Sequence, residues 1–405
     1  MIYIMDKSAL TIFTLLFLSI LVSGQTSIKK TISINEAVAI ALTNNPIAKN
    51  AELSTQIVKY KPLSNIDLGT TELNFTKGQI YSDADVRLVE IDQHLGSPLT
   101  HIQKLNYSKQ SIILSEAAQK LVIKNLTADV KISYTKFLFN YSKLKILNQL
   151  NYIYNQLLNI NGTPYDLLDT NQLTRITKET YFADFQNQLF QADQDYHLSS
   201  NQLQQILNIS EEFVPADSSL ELYAIEILNS GPDKFYPKSQ LSFYTETINL
   251  QQKELLVEQS KWFPEIVAGY FNSKINGNKG FDGIKLGVAI PIWYFPQKAK
   301  INEAKINQKI AKNNLDYQKF TINKNIENLK LSLDKSFVLI SHYRENTLKK
   351  SDLLLQKVNI LMENKDSDYS SIYMILESIV KIQLDYLEAV NQYNQIAIQL
   401  ESYID

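Results

Sequence analysis

The chain contains no cysteine, and glycine is scarce at 11 of 405 residues. Without cysteine there is no disulfide framework, no thiolate metal site, no cysteine nucleophile and no lipidated N-terminal cysteine, so no lipid anchor is expected. Average glycine usage is about 7%, and sheets that cradle nucleotides need glycine-rich turns between strand and helix. A long helical protein with few turns fits the composition better. Neither sign of charge is in excess, with 40 Lys+Arg against 42 Asp+Glu, so the basic footprint of a nucleic-acid binder is missing. The four histidines, His94, His101, His197 and His342, are scattered, and no pair has the i, i+4 spacing of a helical metal site. Each reads as solvated or hydrogen-bonded. No nucleophile elbow or phosphate loop occurs, and neither an enzyme nor a cofactor is expected. After the N-terminal segment no run approaches 18 apolar residues, which excludes a helical membrane span. Any membrane crossing must use strands.

That N-terminal segment has Lys7, the apolar run Leu10 to Val22 and small residues at Ser23-Gly24. It reads as a secretory signal peptide over 1–24, because its apolar run is too short for a bilayer about 30 Å thick. Long helical seams follow. Leu126, Val130, Tyr134, Phe137, Tyr141 and Leu144 form one. Ile322, Ile326, Leu329, Leu333, Phe337 and Ile340 form another, and Ile372, Leu376, Ile379, Ile382, Tyr386, Val390, Tyr393, Ala397, Leu400 and Ile404 a third. Spacings of three and four residues define narrow coiled-coil stripes. The spacing predicts two helical hairpins, over 99–209 and 298–404, with polar tips at Asn161-Gly162-Thr163-Pro164 and Asn364-Lys365-Asp366-Ser367-Asp368.

The two halves answer each other. Gln191-Ala192, Tyr196 and Leu203 fall 197 residues before Glu388-Ala389, Tyr393 and Leu400, while Pro46 answers Pro237 and Pro62 answers Pro264. A tandem duplication is expected: a first repeat over 25–210, a linker over 211–235 and a second repeat over 236–405. Each repeat has one stretch with strand alternation before its hairpin. In the second, Glu265 to Asn276 and Asp282 to Trp293 flank Gly277-Asn278-Lys279-Gly280. There Ile284, Leu286, Val288, Ile290 and Ile292 alternate with Lys285, Gly287, Ala289 and Pro291. In the first, Thr71 to Tyr81 and Asp85 to Leu95 flank Ser82-Asp83-Ala84, with Glu90, Asp92 and His94 on one polar face and a parity slip at Val89 and Ile91.

Four strands of this length suit a bilayer, yet four cannot close a barrel and lipid tolerates no open edge. Two, three or four copies would give 8, 12 or 16 strands. A small sheet capping a soluble helical rod is equally compatible with the spacing.

Over essentially the whole mature chain the sequence resembles the outer-membrane efflux factor family typified by TolC. The resemblance is carried by Ile34 and Ala37 to Ala41 before Asn44-Asn45-Pro46; by Trp262-Phe263-Pro264 leading into Ile266 to Phe271; and by Leu286 to Trp293. Lys300, Ala304 and Lys305, then Tyr386 to Asn394 with Leu400-Glu401, extend it. It is nearest to branches serving heavy-metal pumps of the resistance-nodulation-division (RND) class. The resemblance implies a mainly α fold with a membrane β-barrel portion. In it, tandem-duplicated coiled-coil hairpins and four strands per chain build a homotrimer with one 12-stranded barrel and an α-helical tunnel. It further implies a passive exit duct in the Gram-negative outer membrane, most of the chain lying in the periplasm, joined by a periplasmic adaptor to an inner-membrane RND-type pump and conducting exported substrates such as metal cations. The rival is a soluble periplasmic coiled-coil scaffold that never enters lipid.

Asp166 and Asp169, one turn apart after the first tip, resemble the family's constriction aspartates, and Asp366 and Asp368 lie in the second tip. Symmetry copies of such residues would form cation-attracting rings; as plain helix-start acids they would only complement a helix dipole. Gly162, Thr163, Pro164, Tyr165, Lys365, Ser367 and Tyr369 are the adaptor-contact residues the tips imply. The family's tip glycine is replaced near Lys365. Ile284, Leu286, Val288, Ile290 and Ile292 are the expected lipid-facing row, and Tyr81, Tyr270, Phe271, Trp293, Tyr294 and Phe295 are candidates for an interfacial belt.

Overall fold

The computed structural model describes residues 30–64, 69–79, 83–160, 172–224, 237–292, 294–363 and 369–404. The signal segment, both tips and most of the second half of the linker fall outside these. A short strand β1 (Lys30–Ile32) leads into helix α1 (Ile34–Asn44). Ser33 caps α1: its hydroxyl accepts the Glu36 amide, and Glu36 Oε2 accepts the Ser33 amide at 2.8 Å. This reciprocal box satisfies two otherwise orphaned donors. Asn45 ends the helix by donating to the Ile206 carbonyl at 2.7 Å while accepting from the Ile47 amide at 2.8 Å. Pro46 then opens α2 (Pro46–Ser64), where the lack of an N–H costs nothing.

Strands β2 (Thr71–Gly78) and β3 (Val86–Gly96) precede α3 (Pro98–Ile160) and α4 (Gln172–Leu207). After β4 (Phe213–Pro215), the same order returns as α5 (Lys238–Ser260), β5 (Glu265–Ile275), β6 (Asn278–Ala289), α6 (Tyr294–His342), a π-helical turn (Tyr343–Thr347), α7 (Leu348–Glu363) and α8 (Tyr369–Glu401). At 63 residues α3 spans about 95 Å, far longer than a compact domain is wide.

Two buried clusters hold these rods together. One joins Ile32, Ala37, Leu126, Val130, Tyr134, Phe137, Leu203, Phe213, Ile322, Ile326, Leu333, Ile340, Val390, Tyr393 and Leu400. The second, nearer the tips, gathers Leu150, Tyr154 and Leu157 of α3, Phe185 of α4, Val358 of α7 and Ile372, Tyr373 and Leu376 of α8. Almost every seam position is buried or half-buried. Phe337 is the exception at 53% exposed: Leu333, Ser336 and Ile340 take the core line, and Phe337 stands beside it with its ring 6.4 Å from that of Tyr393.

Three features depart from the sequence reading. The linker contains β4, which pairs in parallel with β1 (Lys30 with Phe213, Ile32 with Pro215); three-residue strands show no alternation, and the partners lie about 180 positions apart. The long helix that carries the second seam is interrupted just past Ile340 by the π turn, where Arg344 Nε donates to the Tyr386 hydroxyl at 3.2 Å. The second strand hairpin is tighter than expected. Asn276 and Gly277 both have positive φ, 47° and 81°, the geometry of a two-residue type I′ turn, so β6 begins at Asn278 rather than Asp282. It ends at Ala289, before Pro291, which has no N–H for a ladder.

Candidate membrane-facing site

The sheet that stands apart from the rods has the order β2-β3-β5-β6, antiparallel throughout. Residues directly paired across antiparallel strands share a face, so the register sorts every side chain. Leu73, Ile91, Tyr270 and Ile284 form one row; Phe75 and Val89 lie above it, and Ala268 with Leu286, then Ile266 with Val288, below it. These rows make a largely apolar face left open to the surroundings, broken by Asn272 and Asp282 beside Phe75 and Val89 and by Thr71 and Gln93 beside Ala268 and Leu286. Ile284 and Leu286 are 80% and 79% exposed, and Ile290 and Ile292, beyond the end of β6, are exposed as well. Val89 and Ile91 do not slip parity: they belong to this face, and the polar Glu90, Asp92 and His94 belong to the other. Phe271 also turns to that second face, since it neighbours Tyr270 on the same strand, and its ring closes over Gly283. It therefore leaves the belt. Tyr270, Tyr294 and Phe295 remain exposed, while Tyr81 and Trp293 lie outside the described residues.

The second face carries ionic groups. Glu72, Asp92, Gly269 and Lys285 stand in one register row across all four strands. Because Gly269 has no side chain, Lys285 reaches over β5 to Asp92 Oδ2 at 2.7 Å and to Glu90 Oε1 at 3.2 Å. Asp92 is only 8% exposed, and its Oδ1 is buried with no hydrogen-bond partner. His94 Nε2 lies 3.7 Å from Glu72. The sequence reading missed this tie. The signal was present: a single lysine in the otherwise neutral half of the β6 alternation, and acids at alternate positions of β3.

The remaining predicted residues are distributed as follows. Asp166, Asp169, Asp366, Asp368, Gly162, Thr163, Pro164, Tyr165, Lys365 and Ser367 lie outside the described residues; Tyr369 opens α8. The helices flanking both tips share the second buried cluster. Of the histidines, His101 bonds through Nε2 to the Leu95 carbonyl at 2.7 Å, and His197 lies 3.9 Å from Asp193. Among the described residues no group of three His, Asp or Glu is placed to hold a metal ion, and no helix is long and apolar enough to cross a membrane.

This arrangement, a sheet with one exposed, largely apolar face standing on helical rods of which the longest spans about 95 Å, is a fold shared with solved outer-membrane channels. CusC, a protein whose structures concern folding and transmembrane channel formation, matches with a TM-score of 0.74 and 15% identity over 94% of both chains. The open state of the Neisseria gonorrhoeae MtrE outer membrane channel matches at 0.77 and 13% identity, over 91% of this chain and 88% of that one. The Campylobacter jejuni CmeC outer membrane channel matches at 0.71 and 11% identity, over 91% and 85%. No family model and no curated protein matches the sequence.

Proposed function

We propose that this chain is a member of the TolC-like efflux factors and forms the outer-membrane exit channel of a tripartite pump. The single observation that carries the reading is the exposed, largely apolar sheet face bounded by two edge strands, β2 and β6. In water such a face and such edges would drive aggregation; in lipid the face is satisfied and the edges require closure. Three copies pairing β6 of one with β2 of the next would make a 12-stranded barrel. The rods would then line a tunnel in the periplasm, with the tips meeting a periplasmic adaptor and, through it, an inner-membrane RND-type pump. The channel itself is passive. Asp166 and Asp169, with Asp366 and Asp368, are the proposed gate, and Gly162 to Tyr165, Lys365, Ser367 and Tyr369 the proposed adaptor contacts.

The soluble-scaffold alternative is disfavoured by the same bare face. Fractionation decides between them: the chain is expected in the outer membrane, as an oligomer that dissociates on heating, and recovery only from the soluble periplasm would overturn the channel. Metal cations are the proposed cargo. A deletion strain should lose tolerance to copper, zinc, cobalt or silver; loss of tolerance to dyes and detergents alone would overturn the cargo assignment and leave the channel standing.

A further inference from the structure

On β2 and β3 the apolar face ends at Phe75 and Val89, with Asn272 and Asp282 completing that row on β5 and β6, and the next register row is basic. Lys77 of β2 pairs with Arg87 of β3, and Arg87 with Lys274 of β5, so three cationic side chains stand side by side on the outer face. Like charges directly opposite one another destabilise a sheet. None of the three has an ion-pair or hydrogen-bonding partner among the described residues, and Lys77 and Arg87 are exposed. The nearest acid on that face is Asp282, one row lower on β6 and approached by the Tyr270 hydroxyl at 3.4 Å. Lys77 lies two residues beyond Phe75, about 7 Å along the strand, which puts the row at the margin of the apolar band and at the end farthest from the rods.

Resting on the reading that this sheet crosses the outer membrane, we propose that Lys77, Arg87 and Lys274 form a binding site for the anionic phosphate headgroup of a lipid. A phosphate supplies the missing counter-charge and accepts from all three donors, with Arg87 in the centre suited to two parallel bonds. The acyl chains would then run down over Phe75, Val89, Leu73 and Ile91. A lipid is favoured over a free anion because on β2 and β3 the basic row runs directly into the apolar residues Phe75 and Val89.

The test uses the full-length oligomer purified in mild detergent, exchanged into micelles containing equal phosphatidylglycerol and phosphatidylcholine, with retained lipid counted by native mass spectrometry. The wild type is expected to retain the anionic lipid about fivefold over the zwitterionic one. The combined variant Lys77→Gln, Arg87→Gln, Lys274→Gln should fall to no preference. A variant with the same charge change on α6 (Lys309→Gln, Lys312→Gln, Lys319→Gln) should keep the preference. Equal retention by the wild type and the sheet variant overturns the site. Full displacement of the lipid by millimolar inorganic phosphate overturns the lipid assignment in favour of a free anion. Should the combined variant fail to assemble, Arg87→Gln alone is expected to lower the preference about twofold, and an unchanged preference there overturns the site. A wild type that is monomeric without detergent would remove the membrane reading and this inference with it; a membrane-embedded oligomer without lipid preference removes this inference only.

Discussion

Lys131 shows how single side chains tie the rods together. From the middle of α3 its ammonium donates to Glu401 near the end of α8 at 2.7 Å and to the Tyr223 hydroxyl of the linker at 2.9 Å. Burial alone would push its pKa down, but the bonds to Glu401 and Tyr223 outweigh that and raise it above the usual lysine value. A raised lysine pKa contributes stability that is complete below the unfolded value of 10.5 and is lost as pH rises through the folded value. Lys131→Met should therefore destabilise at neutral pH by about 1.5–3 kcal/mol and flatten the alkaline arm of the melting profile; an unchanged alkaline arm would show that the tie contributes nothing. Gly269 makes a second residue-scale prediction. A side chain there would collide with Asp92 Oδ1, whereas one at Gly287 would meet Val267 Cβ at an ordinary 3.6 Å. Gly269→Val should cost about 1–3 kcal/mol as overpacking and reduce assembled oligomer, while Gly287→Val should be tolerated. Equal yields would mean that the lane for Lys285 is not needed.

At the scale of elements, β6 carries the sharpest expectation. Leu286→Arg places a charge in the apolar face and should cost about 2–4 kcal/mol if that face lies at mid-membrane. Thr76→Arg, on the opposite face of β2, is the control and should assemble normally; matched assembly of the two would place the apolar face outside lipid. How much of this was legible depends on how local each signal is. The rods were readable because buried residues such as Val130, Tyr134, Leu376 and Leu400 recur with helical spacing for many turns. The row from Ile284 to Val288 was readable because apolar and polar residues alternate cleanly. β3 was not: apolar residues occur on both its faces, Val89 and Ile91 beside Arg87 and Gln93 on one, buried Val86 and Leu88 beside Glu90 and Asp92 on the other, and those acids are balanced by Lys285, which lies 193 residues from Asp92. That pairing exists only once Gly269 clears the way across β5. The β1–β4 pair and the π turn at Tyr343–Thr347 likewise arise from long-range packing and carry no periodic mark.

For the whole molecule, the helices on either side of both tips share one buried cluster in which the Tyr154 and Phe185 rings stack with centroids 4.2 Å apart. Rods converging there, repeated around an axis, would bring Asp166 and Asp169 into stacked carboxylate layers one turn apart. Trivalent cations should then block the closed channel in planar bilayers at low ionic strength, and Asp166→Asn with Asp169→Asn should relieve the block; an unrelieved block would return these residues to helix-start acids and shift the gate to Asp366 and Asp368. All of this depends on the four-stranded sheet being completed by other copies of the chain. The mass of the oligomer extracted from outer membranes, measured by native mass spectrometry, tests that claim most directly. Three chains of 46.4 kDa, less any signal segment removed on export, is the result predicted. A stable monomer that stays dispersed in water without detergent would contradict it.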